Sequence, residues 1–168
     1  MSKVITFSIT FPAYHPKAGQ PTYFVEKLNA GLDWRKYGIA FGDETEAHFK
    51  KLGLEYSSEI AKYCSPKFHT IRAGHRFKVG DKFSPRVWSG KPYNSKQIII
   101  APNIEIKKVF SVSKDANLFV VNNIYFTTKQ TIELAKNDGL DYLDLIDWFQ
   151  LPKPFTGQII CWNENVNY

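Results

Sequence analysis

Between residues 4 and 11 the chain alternates, with Ile5, Phe7, Ile9 and Phe11 on one face and Thr6, Ser8 and Thr10 on the other. A period of two predicts a half-buried strand. Pro12, Pro16, Gly19 and Pro21 then mark a loop. Thr22 is placed to cap a helix running to about Leu32 that buries Phe24, Val25 and Leu28. Residues 33–44 read as an irregular connection. Helical stretches follow at about 44–52 and 57–63, and Pro66 closes the region. From there the pattern turns to β. β-Branched and aromatic residues concentrate at 69–72, 82–87, 97–101, 104–112 and 118–126, which predicts five short strands. Thr127 and Gln130 have the spacing of a capping box and open a helix over about 128–136, which Asn137-Asp138-Gly139 stops. Asp141 and Asp144 open a last helix whose apolar positions, Leu143, Ile146, Trp148 and Phe149, fit one broad face. Pro152 and Pro154 are expected to end it, and residues 158–162 form the final strand.

Many short strands with a few helices predict an α+β fold, a small mixed β-barrel decorated by helices. The 168 residues suit one domain. The longest purely apolar runs are four residues, far below the roughly 20 of a membrane span, so no membrane partner is expected. No secretory signal is visible. The two cysteines, Cys64 and Cys161, are expected to be reduced in a cytoplasmic protein.

Charge changes this picture. The net charge is +6, and it is unevenly spread. Residues 1–61 are neutral, residues 62–114 carry 12 basic and 2 acidic residues, and residues 115–168 carry 3 basic and 7 acidic ones. Aromatics, among them Phe68, Phe77, Phe83, Trp88 and Tyr93, are interleaved in the basic segment. Cations beside stacking faces suit single-stranded nucleic acid or a nucleotide. Phe68, Trp88 and Tyr93 are the candidate stacking residues, and Arg72, Arg76 and Lys78 the candidate backbone contacts.

Other chemistry is poorly supported. His15, His48, His69 and His75 have no metal-ligand spacing, and read as polar surface or phosphate-contacting residues. No Gly-x-Ser-x-Gly elbow, dinucleotide fingerprint or phosphate-binding loop is present, and no cofactor is expected. Cys64, flanked by Lys62 and Lys67, is a weak candidate thiol nucleophile. The richest stretch is Lys67-Phe68-His69-Thr70-Ile71-Arg72. A threonine hydroxyl attacks a carbonyl once a base takes its proton, and a lysine of lowered pKa is such a base. Positions i and i+3 of a strand face opposite ways. Lys67 and Thr70 therefore converge only if Lys67 lies in the turn before the strand.

Lys67-x-x-Thr70-Ile71-Arg72, then Lys78-Val79-Gly80-Asp81, then a helix ending in Asp138-Gly139-Leu140 before the Leu143/Ile146 helix, together resemble the ASCH family (activating signal cointegrator homology) of the PUA-like superfamily. The resemblance covers about residues 67–162 and the first strand. It implies one PUA-like β-barrel domain over residues 1–168, with a helical insert at about 12–66 and a cleft for nucleic acid or a nucleotide. ASCH proteins are linked to RNA or DNA binding. Some small bacterial members are amidohydrolases that deacylate N4-acetylcytidine, and ribonuclease activity is reported in the family. The lysine, threonine and glutamate of the amidohydrolases fall on Lys67, Thr70 and Asp138. The third position departs from the pattern, because aspartate is one methylene shorter, and a misplacement of about 1 Å costs about 10²-fold in rate. The expected function is therefore recognition of RNA, single-stranded DNA or a modified nucleotide. Amidohydrolysis of an N4-acetylcytidine-type nucleoside, with Thr70 as nucleophile, Lys67 as base and Asp138 as acid/base, is the alternative.

Overall fold

The computed structural model describes residues 2–37, 43–150 and 153–168. The fold is mixed α+β with two sheets, and the chain divides into two compact units. The first comprises Met1–Pro66 and Lys82–Ile104; the second comprises Lys67–Asp81 and Glu105–Tyr168. Among the described residues no helix is long and apolar enough to cross a membrane.

In the first unit, β1 (Lys3–Thr6) runs parallel to β3 (Lys82–Trp88), which pairs antiparallel with β4 (Gln97–Ile99). The predicted first strand is cut short. Ile5, Phe7 and Phe11 are buried as the alternation requires, but Ile9 is exposed, and pairing with β3 ends at the Phe7 amide, after which Thr10 bridges Pro21. Helix α1 (Phe24–Gly31) buries Phe24, Val25 and Leu28. The N-cap position falls on Tyr23, and the Thr22 hydroxyl just before it accepts from the Phe24 amide at 3.3 Å while donating to the Ser8 carbonyl at 2.7 Å. Two shorter helices follow, α2 (Trp34–Tyr37) and α3 (Asp43–Lys51). Helix α4 (Ser58–Tyr63) is capped by the Ser57 hydroxyl, which accepts from the Ile60 amide.

The second unit holds a five-stranded antiparallel sheet. Its strands are β2 (His69–Ala73), β6 (Lys108–Asp115), β7 (Leu118–Val121), β8 (Ile124–Tyr125) and β9 (Phe155–Cys161), in the order β2-β9-β6-β7-β8. The expected strand 104–112 is broken after β5 (Ile104–Glu105), and β6 continues beyond it. The expected strand 118–126 is a hairpin, because Asn122 and Asn123 both take left-handed conformations. Such pairs match the twist of flanking strands. Gly157 is required where β9 passes β2, since a Cβ there would lie 2.0 Å from the Arg72 carbonyl oxygen.

Register sorts the sheet into two faces, because paired residues share a side. His69, Ile71, Ile159, Cys161 and Phe110 lie on one, and Thr70, Arg72, Gln158 and Ile160 on the other. Helix α5 (Thr128–Asn137) begins with the predicted capping box, formed reciprocally by Thr127 and Gln130. Asp141 caps α6 (Tyr142–Trp148), whose C-cap is Phe149, ahead of Pro154. Pro152 lies outside the described residues. The α6 face also differs from expectation. Leu143 is 68% exposed, whereas Leu145 is fully buried beside Asp144. The apolar count had hidden that Leu143 is one of the outward positions.

Candidate functional site

The polar centre of the second unit is built at the end of α5. Gly139 adopts φ 78°, and the Leu140 and Gly139 amides donate to the Ala135 and Lys136 carbonyls. This turn closes the helix with a left-handed residue only glycine supplies cheaply. It leaves the Asn137 and Asp138 carbonyls at the helix end in need of donors. The segment before β2 supplies them. The Phe68 amide donates to Asn137 O at 2.8 Å, and the Lys67 ammonium donates to Asp138 O. The same ammonium lies 2.7 Å from Asp138 Oδ1. A cation at a helix C-terminus also answers the negative end of the macrodipole.

Lys67 is 1% exposed and Asp138 6%. Burial by itself would raise the Asp138 pKa, but the Lys67 charge and the His69 ring together outweigh it and hold the carboxyl below its ordinary value. This favours the ionised carboxylate beside Lys67. His69, fully buried, places Nδ1 3.4 Å from the same carboxylate oxygen. Its Nε2 is 2.7 Å from the Tyr168 hydroxyl, which accepts from Asn137 Nδ2 at 3.0 Å. The ring thus lies between the Tyr168 hydroxyl and the Asp138 carboxylate. Burial pushes the His69 pKa down, against the pull of Asp138. His69 is therefore a neutral buried link, not the surface or phosphate-contacting residue expected. Trp162 closes the arrangement, donating its indole N–H to Lys67 O at 3.1 Å.

Lys67 and Asp138, far apart in sequence, are thus brought together as the expected triad requires. Thr70 is not joined to them. It is buried, but it lies on the face of β2 opposite His69, and its hydroxyl makes no hydrogen bond among the described residues. Arg72 shares that face and is half-buried, with its pKa lowered by burial. Gln158, opposite Arg72 in the register, clamps the Phe77 backbone through both amide ends. Arg76 is exposed and stacks on the Phe77 ring at 4.9 Å. Lys78 is exposed on the turn to Asp81, and Phe68 is half-buried. Cys64 is a poor nucleophile, because burial raises its thiol pKa.

Trp88 and Tyr93 belong to the first unit and meet each other. Their ring centroids are 5.3 Å apart at the tip of the β3–β4 hairpin. The tip is held by Ser89 N to Lys96 O at 2.8 Å and by Ser95, whose hydroxyl accepts from Gly90 N and donates to Lys91 O. Within it, Asn94 N donates to Lys91 O, Pro92 is the first central residue and Tyr93 the second, at φ 64°. That second position is one where glycine or asparagine is usual. Tyr93 nonetheless occupies it, with 88% of its surface exposed. Lys91 and Lys96, in the same hairpin, are exposed.

Sequence reasoning missed Asn137, His69 as a buried group, Trp162 and Tyr168. Asn137 sits in the recognised helix stop, and His69 alternates with Ile71 along an apolar strand, so both had a local signal. Tyr168 had none.

Two outcomes follow from the buried network. Lys67→Met leaves the Asp138 carboxylate buried without its cation and is expected to cost about 3–5 kcal/mol in urea unfolding. Adding Asp138→Leu is expected to restore most of that loss. The His69 pKa is lowered from its ordinary 6.5, so the unfolded chain takes up the proton first. Its stabilising contribution is complete above pH 6.5 and is lost as pH falls below it. The Asp138 contribution, also from a lowered pKa, is lost only below its ordinary 3.8. Melting between pH 7.5 and 5 is therefore expected to fall less steeply in His69→Gln than in the wild type.

Compared with protein families, with curated proteins and with solved structures, the chain matches none of them.

Proposed function

We propose that this protein binds single-stranded RNA or DNA, or a modified nucleotide within such a strand, and that the Trp88–Tyr93 hairpin tip is a stacking platform. The observation that carries this reading is Tyr93 itself. A bulky residue in the left-handed region costs about 1–2 kcal/mol, and strain of this kind collects at functional sites. Here the strain presents an aromatic ring to solvent, beside Trp88 and in a hairpin that carries exposed lysines. Base–aromatic stacking tolerates any base, and lysines neutralise phosphates without reading sequence. The exposed lysines of the same unit, Lys62, Lys82, Lys91 and Lys96, support the same conclusion. Phe68, expected to stack, and Arg72, Arg76 and Lys78, expected to contact the backbone, belong to the second unit and form no part of this platform. The family reading belongs with it: an ASCH protein with a PUA-like β-barrel, supported by the order of its motifs and by the α+β strand content.

The Lys67–Asp138 contact favours a second reading, deacylation of an N4-acetylcytidine-type nucleoside. Against it stand the placement of Thr70 on the other face of β2 and the engagement of the Lys67 ammonium by two acceptors of Asp138.

The test is fluorescence anisotropy with a labelled 12-mer of deoxythymidine, over a range of salt. Affinity is expected to fall steeply with salt through counterion release. Tyr93→Gly is expected to raise stability by about 1 kcal/mol, by relieving the backbone, while weakening binding by about 1–3 kcal/mol. Unchanged binding in Tyr93→Gly would remove the platform from the account. Release of cytidine from N4-acetylcytidine, lost in Thr70→Ala, would favour the second reading instead.

A further inference from the structure

The first unit holds a pocket of about 620 Å3 that neither reading uses. Its walls include Tyr23, Phe24, Glu26, Tyr56, Ser57 and Ser89. Ser89 directly follows Trp88 in the chain, so the pocket shares a residue with the base of the hairpin tip. Its unusual member is Glu26, a carboxylate only 5% exposed. A buried carboxylate needs donors. The Ser57 amide supplies one at 3.0 Å, and the Glu26 amide and the Lys27 charge add support. A carboxylate has about four lone-pair sites, so these two amides leave acceptor capacity unused.

The rings beside it are held in place. Tyr56 is 7% exposed, packs against Phe49 at 5.0 Å, and receives Asn29 Nδ2 on its hydroxyl at 3.4 Å. Phe24 is 5% exposed. Tyr23 stands at the opening, 38% exposed, and is the second tyrosine with a left-handed backbone, at φ 57°. The pocket thus combines aromatic lining residues, a carboxylate with acceptor capacity to spare and room for a nucleobase.

We propose that this pocket takes a guanine base, with the Glu26 carboxylate accepting from the guanine N1–H and N2–H groups. The inference deepens the nucleic-acid reading and rests on it. The choice of base follows from the acceptor set. An ionised carboxylate accepts only, so its partner must offer two adjacent donors on one edge. Guanine does. Cytosine and adenine offer a donor beside an acceptor, and uracil and thymine flank their one N–H with carbonyl oxygens. Reading an unstacked base by its Watson–Crick edge, with aromatic side chains against its faces, is the usual way single strands are recognised. Burial raises the Glu26 pKa above its ordinary value, and the Glu26 and Ser57 amides pull it back toward the ionised form that this pairing needs.

The test is calorimetric titration of the full chain with guanosine monophosphate, beside the inosine, adenosine and cytidine monophosphates, with the deoxythymidine 12-mer as a parallel probe. Guanosine monophosphate is expected to bind. Inosine monophosphate lacks the 2-amino group, and its binding is expected to be weaker by about tenfold or more. The other two are expected to give no heat at the same concentration. Glu26→Gln keeps an oxygen for the Ser57 amide and is expected to lose guanosine monophosphate binding by about tenfold or more, with 12-mer binding unchanged. If that variant does not fold, Tyr23→Ala, at the exposed opening, is expected to weaken guanosine monophosphate alone. Equal binding of all four nucleotides, or no effect of either variant, would overturn the proposal. Binding of the 12-mer without any binding of guanosine monophosphate would overturn the pocket and leave the nucleic-acid reading standing. Binding of neither probe would overturn both.

Discussion

A lysine and an aspartate 71 residues apart in the chain meet in a nearly dry contact, and the second unit is arranged around that fact. Each charge costs several kcal/mol to remove from water. The cost is met only because the geometry is complete. Lys67 reaches both the carboxylate and the carbonyl of Asp138, and Asp138 lies at a helix end whose dipole welcomes a cation. The chain leading into β2 must therefore pass the end of α5 at a fixed height. Phe68 then donates to Asn137, His69 turns toward Asp138, and Tyr168 bridges His69 to Asn137. One ion pair thus sets the register between a helix and an edge strand.

The same completeness argues about chemistry. A lysine acts as a base when it is neutral and near its target. Lys67 instead faces an ionised carboxylate, and the Thr70 hydroxyl projects from the other side of the strand. The interactions that make Lys67 affordable in the interior are the ones that keep it occupied. At the hairpin of the first unit the relation is reversed. Tyr93 is strained and exposed, although glycine in its place would relieve the turn. The two sites differ in what their residues gain. Lys67 and Asp138 complete each other, whereas Tyr93 is strained and exposed and Glu26 keeps acceptor capacity unused.

What the sequence disclosed followed the range of each signal. The Thr127/Gln130 capping box, the Asp141 cap and the Gly139 stop are decided within a few residues, and all three form as read. The strands 69–72 and 82–87 were legible from their composition, and extend by one residue each. The run at 118–126 concealed a hairpin, because Asn122-Asn123 is a weaker marker than Asn-Gly inside an apolar stretch. Leu143 and Leu145 could not be told apart without knowing which side of α6 is covered. The meeting of Lys67 with Asp138 came from the ASCH resemblance and from no local pattern. His69 was misjudged because a histidine in isolation reads as polar. The charge of residues 62–114 marked a region, but not that Trp88 and Tyr93 would share one hairpin tip while Thr70 and Arg72 shared one face of a strand in the other unit.

The central claim is that ligand is met at the strained hairpin and not at the buried ion pair. Nitrogen-15 NMR of the full chain, titrated with a short single-stranded oligonucleotide, tests it most directly. The account predicts that the Trp88 indole signal and the amides between Lys91 and Lys96 shift as oligonucleotide is added, while those of Lys67, Thr70 and Asp138 stay in place. Shifts centred on Thr70, His69 and Asp138 with a silent hairpin would contradict it, and would return the buried lysine and aspartate to the role of a reaction centre.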